Sequence, residues 1–170
     1  AIQAALTGHL VFSTLHTNDA PSAITRLIDM GVKPFLVASS IQAVMAQRLV
    51  RIICEECKED DPSPDPKMLR VLGFKPEDLG GLKFKRGAGC KRCNGTGFRG
   101  RKGIFELMTM TNELRDLAFN RASTGQLRRA AAAGGMRPLL EDGKRKIHRG
   151  LTTLAEVARH AQAEGILIDE

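Results

Sequence analysis

Four residues carry the plainest chemistry in this chain: Cys54, Cys57, Cys90 and Cys93, which are all the cysteine it has. They fall in two pairs, Cys54-Glu-Glu-Cys57 and Cys90-Lys-Arg-Cys93. Two residues between thiolates let one short turn aim both sulfurs at a single ion. Two such turns complete a tetrahedron of soft ligands, which suits structural zinc. Gly87, Gly89, Gly95 and Gly97 crowd the second turn, as expected of a backbone that must fold tightly around an ion. Two disulfides, or surface thiols that meet nothing, are the alternatives. Disulfides require an oxidising compartment, for which nothing else in the sequence argues. A site of four thiolates has no open coordination position, so it would hold the chain together without acting on a substrate.

A second group of chemically capable residues lies in Gly8-His9-Leu10-Val11-Phe12-Ser13-Thr14-Leu15-His16-Thr17-Asn18. Leu10–Leu15 is short, apolar and β-leaning, and reads as a buried strand. Alternation along it would place Thr14 and His16 on one face. In open α/β sheets ligands collect beyond the carboxyl ends of strands. Hydroxyls, imidazole and amide at such an end could meet a phosphate or an attacking water. The plainer reading is that Thr17 and Asn18 shape a turn within which His16 is hydrogen-bonded.

The elements that must position these groups follow from local signals. Asp19 is expected to cap a helix with Pro21 in its first turn, Ile24, Leu27 and Ile28 as its stripe, and Gly31 as its stop. A second helix is expected after Pro34, over about Phe35–Ala46, then a strand at Leu49–Ile53. Residues 58–82 are the least structured by composition, with a short helix near Lys67–Leu72. Gly103–Met108 reads as a strand. Thr111 caps a helix over Glu113–Asn120. Ser123–Gln126 and Thr153–Glu156 fit capping boxes, and Pro138 opens a helix reaching Gly150.

With 170 residues, 42% hydrophobic and 26% charged, the chain can bury a real core. No apolar run approaches the ~20 residues of a membrane helix. Net charge is +7, concentrated at Lys83, Lys85, Arg86, Lys91, Arg92, Arg99, Arg101 and Lys102. Cations there would offset the charge of a tetrathiolate site or suit an acidic partner. Nucleic acid is disfavoured, because the chain has no Trp or Tyr and few aromatics on which bases stack. The opening Ala-Ile-Gln-Ala-Ala-Leu-Thr has no methionine and reads as the tail of a helix. The chain is therefore expected to be a piece of a larger cytosolic protein.

Thr7–Asn18, then Arg26-Leu-Ile-Asp-Met-Gly31, Ala46-Gln-Arg-Leu-Val-Arg51 and the paired cysteines closely resemble the secretion ATPase family of type II secretion and type IV pilus assembly. So do Gly97–Glu106, Gly135-Met136, Leu140-Glu-Asp-Gly143 and Gly150-Leu-Thr-Thr153. The resemblance implies an α/β fold: the C-terminal half of a RecA-like ATPase domain (1–53), a zinc-binding insertion with its return strand (54–108), and a small helical C-terminal subdomain (109–170). It implies that His9 and His16 are the two histidines of the family's His box, with Thr14, Thr17 and Asn18 as polar neighbours able to sense a γ-phosphate. It implies that Gln47 and Arg48 lie beside the nucleotide. It further implies a homo-hexameric parent that uses ATP and Mg²⁺, works in the cytoplasm, and acts on inner-membrane platform proteins. The chain has no Gly-x-x-x-x-Gly-Lys-Ser/Thr loop: Arg145 stands after Gly143-Lys144 where Ser or Thr would hold magnesium. It is therefore expected to hydrolyse no ATP alone. The alternative is a zinc-dependent binding module, because Cys90–Gly97 also matches the C-x-x-C-x-G-x-G repeat of DnaJ-type chaperones and C-x-x-C pairs occur in zinc ribbons.

Overall fold

The computed structural model describes residues 1–75 and 80–163, with side chains as far as His160. Helices α1 (Ile2–Leu6), α2 (Ala20–Asp29) and α3 (Pro34–Ser40) precede strand β1 (Ala43–Ile53) and the short strand β2 (Lys58–Asp60). Helix α4 (Pro66–Val71), strand β3 (Lys85–Gly87), a 3₁₀ turn (Lys91–Cys93) and the long strand β4 (Phe98–Thr109) follow. Four helices complete the order: α5 (Asn112–Phe119), α6 (Thr124–Ala133), α7 (Leu139–His148) and α8 (Leu154–Ala163). β1 pairs with β4, and β2 with β3. The chain forms two compact units: Ala1–Ala46 with Phe105–Pro138, and Gln47–Ile104 with the chain from Leu139 onward.

In the first unit α2 packs on α6, α3 on α5, and α5 on α6. Ile24, Val37, Met108, Leu114 and Leu127 are fully buried there. The helix starts follow the sequence reading. Asp19 accepts the Ser22 N–H at 2.9 Å, and Thr111 accepts from Leu114. The Ser123–Gln126 box is reciprocal, with the Ser123 N–H bonded to Gln126 Oε1 at 2.9 Å.

Two expected elements differ. Residues Leu10–Leu15 form no strand; Leu10 is 80% and Phe12 87% exposed. An apolar strand is stable only where a neighbour completes its hydrogen bonds and covers its face, and no described strand pairs with this segment. The alternation argument that put Thr14 and His16 on one face lapses with it. The helix expected over Phe35–Ala46 stops at Ser40. The Ser39 hydroxyl donates to the Phe35 carbonyl at 2.8 Å and the Ser40 hydroxyl to Leu36 at 2.6 Å, a back-bonding that weakens a helix. From Gln42 the backbone pairs instead with the end of β4, Met110 N–H to Gln42 O at 2.9 Å.

In the second unit Val50, Ile53, Ile104, Leu139, Ile147 and Val157 form the core. Arg51 ties it together. Its backbone N–H and its guanidinium donate to the Glu156 carboxylate at 3.1 and 2.6 Å, and the guanidinium lies 4.2 Å from the Phe98 ring centre. The expected Thr153–Glu156 box is thus half made. Thr153 Oγ1 accepts from the Glu156 N–H at 3.4 Å, while the Glu156 carboxylate turns to Arg51.

Segment 58–82 carries more core than its composition suggests; positions 76–79 of it lie outside the described residues. Leu72 is fully buried, with Leu69 and Phe74 nearly so, as is Phe84 just beyond the segment. Phe74 meets Phe84 edge-on at 5.8 Å and His148 at 5.7 Å.

Asp19 and Glu156 give the stability a sign with pH. Burial alone would raise the Asp19 carboxyl, but hydrogen bonds from Ser22 and Arg128 outweigh it and hold it below its ordinary 3.8. The Arg51 hydrogen bond holds Glu156 below 4.5. A depressed carboxyl stabilises the fold above its unfolded pKa, and that contribution is lost as pH falls through the lower folded value. The thermal midpoint should therefore drop below pH of about 4, and less steeply in Glu156→Gln. Melting curves across that range would show a parallel slope in the variant if the pair contributed nothing.

Candidate functional site

The four cysteine side chains converge. Their Sγ atoms all lie within 4.8 Å of one another, and the cysteines are unbonded to each other. Cys54 to Cys90 is 3.9 Å, Cys57 to Cys93 3.8 Å, and Cys90 to Cys93 3.7 Å. Sulfurs each about 2.3 Å from a central zinc would be about 3.8 Å apart at tetrahedral angles, the separation seen. A disulfide would need about 2.05 Å. The donor set therefore fits a closed structural ion.

The turns that carry the sulfurs are built from backbone contacts. The Cys54 N–H donates to Gly97 O, the Ala88 N–H to Cys57 O, and the Gly95 N–H to Cys90 O, each at 2.9 Å. Asn94 takes a left-handed φ of 51° to close the 3₁₀ turn. Gly87 and Gly97 stack face to face: a Cβ on Gly97 would lie 2.5 Å from the Gly87 carbonyl oxygen. Three N–H groups point at sulfur: Gly89 at Cys57 (3.3 Å), Cys90 at Cys93 (3.2 Å) and Gly97 at Cys93 (3.3 Å).

Burial and these donors push two of the thiols in opposite directions. The Cys90 N–H, followed by that of Gly97 against opposing burial, brings Cys93 down to about 6. Burial pushes Cys57 up to about 12 despite its Gly89 bond. Four thiolates this close repel one another, so ionising all of them calls for a cation among them.

The basic stretch finds acids within the same unit. β2 and β3 pair Glu59 with Arg86 and Asp60 with Lys85 across the ladder. Arg86 meets Glu59 at 2.8 Å, Lys85 bonds Asp60, Lys83 lies 3.9 Å from Asp60, and Arg92 pairs with Glu56. The acids lie within the first cysteine pair (Glu56) and just after it (Glu59 and Asp60), a sequence signal that reading the basic run alone passes over. Arg99, Arg101, Lys91 and Lys102 are exposed.

The other group falls in two places. His16, Thr17 and Asn18 line one open depression with Ser22, Thr25, Arg26 and Asp29. Thr14 is exposed and outside that set. His9 is exposed at the start of the segment, its Nδ1 3.0 Å from the Thr7 hydroxyl. Gln47 and Arg48 sit on β1 in the second unit, where the Arg48 guanidinium donates to the Gln47 carbonyl at 2.9 Å. The first N–H groups of α2 are spent. The Ala20 N–H donates to Glu106 Oε1 at 2.8 Å and the Ser22 N–H to Asp19. An anion in the depression would meet side chains and not the helix end.

A family model described as type II/IV secretion system protein matches residues 1–159. The chain belongs to this family. A type IV pilus assembly ATPase PilB of Thermus thermophilus is 47% identical over 157 residues, 92% of this chain and 18% of that relative. The type II secretion system protein HxcR of Pseudomonas aeruginosa is 49% identical over 159 residues, 94% of this chain and 30% of it. The type II secretion system ATPase E of Vibrio cholerae is 45% identical over 159 residues, covering 94% and 31%. The chain thus spans between 18% and 31% of the length of these curated relatives. The match runs through Cys90–Gly97, so the glycine-spaced cysteine repeat lies inside a secretion-family segment. Among the described residues no helix is long and apolar enough to cross a membrane.

Proposed function

We propose that the chain is a C-terminal portion of a hexameric ATP-driven motor that powers type II secretion or type IV pilus assembly. The family match over residues 1–159 carries this reading. On it, 1–53 is the later half of a RecA-like ATPase domain, 54–108 a zinc-binding subdomain with its return strand, and 109–170 a helical subdomain, of which positions 164–170 lie outside the described residues. Zn²⁺ held by Cys54, Cys57, Cys90 and Cys93 is structural: it neutralises four thiolates and clamps the two turns together. His16, Thr17 and Asn18, together with His9, Thr14, Gln47 and Arg48, face the nucleotide in the intact parent, where ATP and Mg²⁺ bind. The parent works in the cytoplasm against inner-membrane platform proteins and needs no nucleic acid.

Phosphoryl transfer depends on a phosphate-cradling loop and a magnesium site, and the sequence carries neither as a recognisable motif. The 170-residue chain alone is therefore expected to hydrolyse no ATP. The full-length parent is expected to hydrolyse it with a kcat lowered about tenfold or more by His16→Ala. ATP turnover by the purified chain that survives contaminant controls, or full parental activity in His16→Ala, would overturn this reading.

A further inference from the structure

Two buried carboxylates converge on the residues that directly follow His16-Thr17-Asn18. Glu106, 4% exposed and toward the C-terminal end of β4, accepts the Ala20 N–H at 2.8 Å. Asp19, 5% exposed, divides its two oxygens. Oδ1 accepts from Ser22, and Oδ2 accepts from the Arg128 guanidinium, Nε at 3.0 Å with Nη2 also bonded. Arg128 lies on α6, and a Thr25–Thr124 hydroxyl contact of 3.2 Å joins α2 to the start of the same helix. All of these residues lie in the first unit.

Part of this is more than a helix start needs. An N-cap side chain satisfies one of the orphan N–H groups at a helix N-terminus, and Asp19 does so through Ser22. Glu106 satisfies a second, the buried Ala20 N–H, from a distant strand, and the fork of Arg128 serves no N–H of the helix. They join the turn to β4 and to α6, from positions 86 and 109 residues away in the chain. Glu106 also sits where an apolar residue would serve the core better, on the inward face of β4 with Ile104 and Met108. Burying a carboxyl group there carries a desolvation cost that hydrogen bonds must offset.

We propose that Glu106 and Arg128 are positioning residues for the His16–Asn18 turn. They lock the backbone directly after it, so that the turn's polar side chains meet the nucleotide phosphates at one place. The role rests on the nucleotide-facing reading above and adds to it the residues that hold the geometry. Misplacement of reacting groups by about 1 Å can cost around 10²-fold in rate, so loosening this anchor should appear in kcat before it appears in ATP affinity.

Two measurements decide it. The first is amide hydrogen exchange on the 170-residue chain carrying Glu106→Leu or Arg128→Met. Exchange at residues 16–20 should rise about tenfold or more, while α5 and the second unit keep their protection. The second is ATP turnover by the full-length parent with the same changes, assayed well below its melting point. There kcat should fall about tenfold or more with KM changed by less than about threefold. Glu106→Gln, whose amide oxygen still accepts from Ala20, should retain most of the activity. Unchanged exchange at 16–20, or an unchanged parental kcat in Glu106→Leu, overturns the proposal. If His16→Ala leaves parental kcat intact, the nucleotide-facing reading fails, and exchange at 16–20 still decides whether Glu106 and Arg128 hold the turn.

Discussion

Chelating the metal, or replacing Cys90 with serine, will open residues 54–60 and 85–97 before any other part of the chain. Those segments hold each other through few apolar contacts. Their fastening consists of four sulfurs, the short β2–β3 ladder, two further backbone hydrogen bonds of 2.9 Å (Cys54 N–H to Gly97 O and Ala88 N–H to Cys57 O) and surface ion pairs such as Arg86–Glu59. Exposed ion pairs contribute at most about 1 kcal/mol each. Structural zinc in small modules carries on the order of 10 kcal/mol of binding free energy, which is also folding free energy. Without the ion, repulsion and desolvation leave thiols such as Cys57 protonated, and nothing draws the two turns together. Helix α4 should outlast them, because Leu69, Leu72 and Phe74 are buried and α4 packs on α8. The first unit should be untouched. Hydrogen exchange with and without chelator reads this out: equal protection at 54–60 and 85–97 in both states would refute it.

Gly97→Val should disable the same site without altering a ligand. The position has φ +75°, where a β-branched residue is strained, and its Cβ would press within 2.5 Å of the Gly87 carbonyl oxygen. That obstacle is backbone and cannot rotate aside. Relief requires residues 87 and 97, the two flanks of the second cysteine turn, to separate; shifting residue 97 breaks the Cys54 N–H bond to its carbonyl and moves its N–H away from the Cys93 sulfur. Strain and overpacking together should cost roughly 2–5 kcal/mol. The cost should appear as a lower melting point and as weaker metal retention against a competing chelator. Gly95→Ala is the matched control. Its φ is also positive, at +74°, but a Cβ there meets nothing within 4 Å, so only the backbone strain remains. Equal losses in the two variants would mean that the close approach of residues 87 and 97 is unimportant.

What the sequence discloses divides along the range of the forces involved. Helix starts are legible because a cap is decided within four residues, as at Asp19, Thr111 and Ser123. The cluster of four cysteines is legible because each pair is a local turn, and only the meeting of the two turns had to be supplied by the fold. The strand expected at Leu10–Leu15 fails because an apolar run reports only a need for burial, and pairing partners decide whether that need is met. The end of α3 was hidden for a related reason: Ser39 and Ser40 can sit in a helix or unwind it, and the ladder from Gln42 to Met110 tips the balance.

The anchors of the His16–Asn18 turn lie beyond any local reading. In Ile104-Phe-Glu-Leu-Met108 the alternation allows either face to be the buried one. Phe105 and Leu107 look like the inward pair, yet they are 43% and 56% exposed while Glu106 is buried. An acid in step with Ile104 and Met108 is the one trace the sequence holds of a buried carboxylate. Its partner, the Ala20 N–H, cannot be found without the fold. Arg51 and Glu156 are similar, since the capping-box pattern assigns Glu156 to Thr153 and only the second unit's packing redirects it to Arg51.

X-ray absorption at the zinc edge, with metal content per chain measured on the same preparation, puts the greatest strain on this account. The prediction is one zinc per chain surrounded by four sulfurs at about 2.3 Å, with both the stoichiometry and the sulfur shell lost in Cys90→Ser. Folded protein with no stoichiometric metal, or a zinc shell containing oxygen or nitrogen in place of any cysteine sulfur, would contradict it.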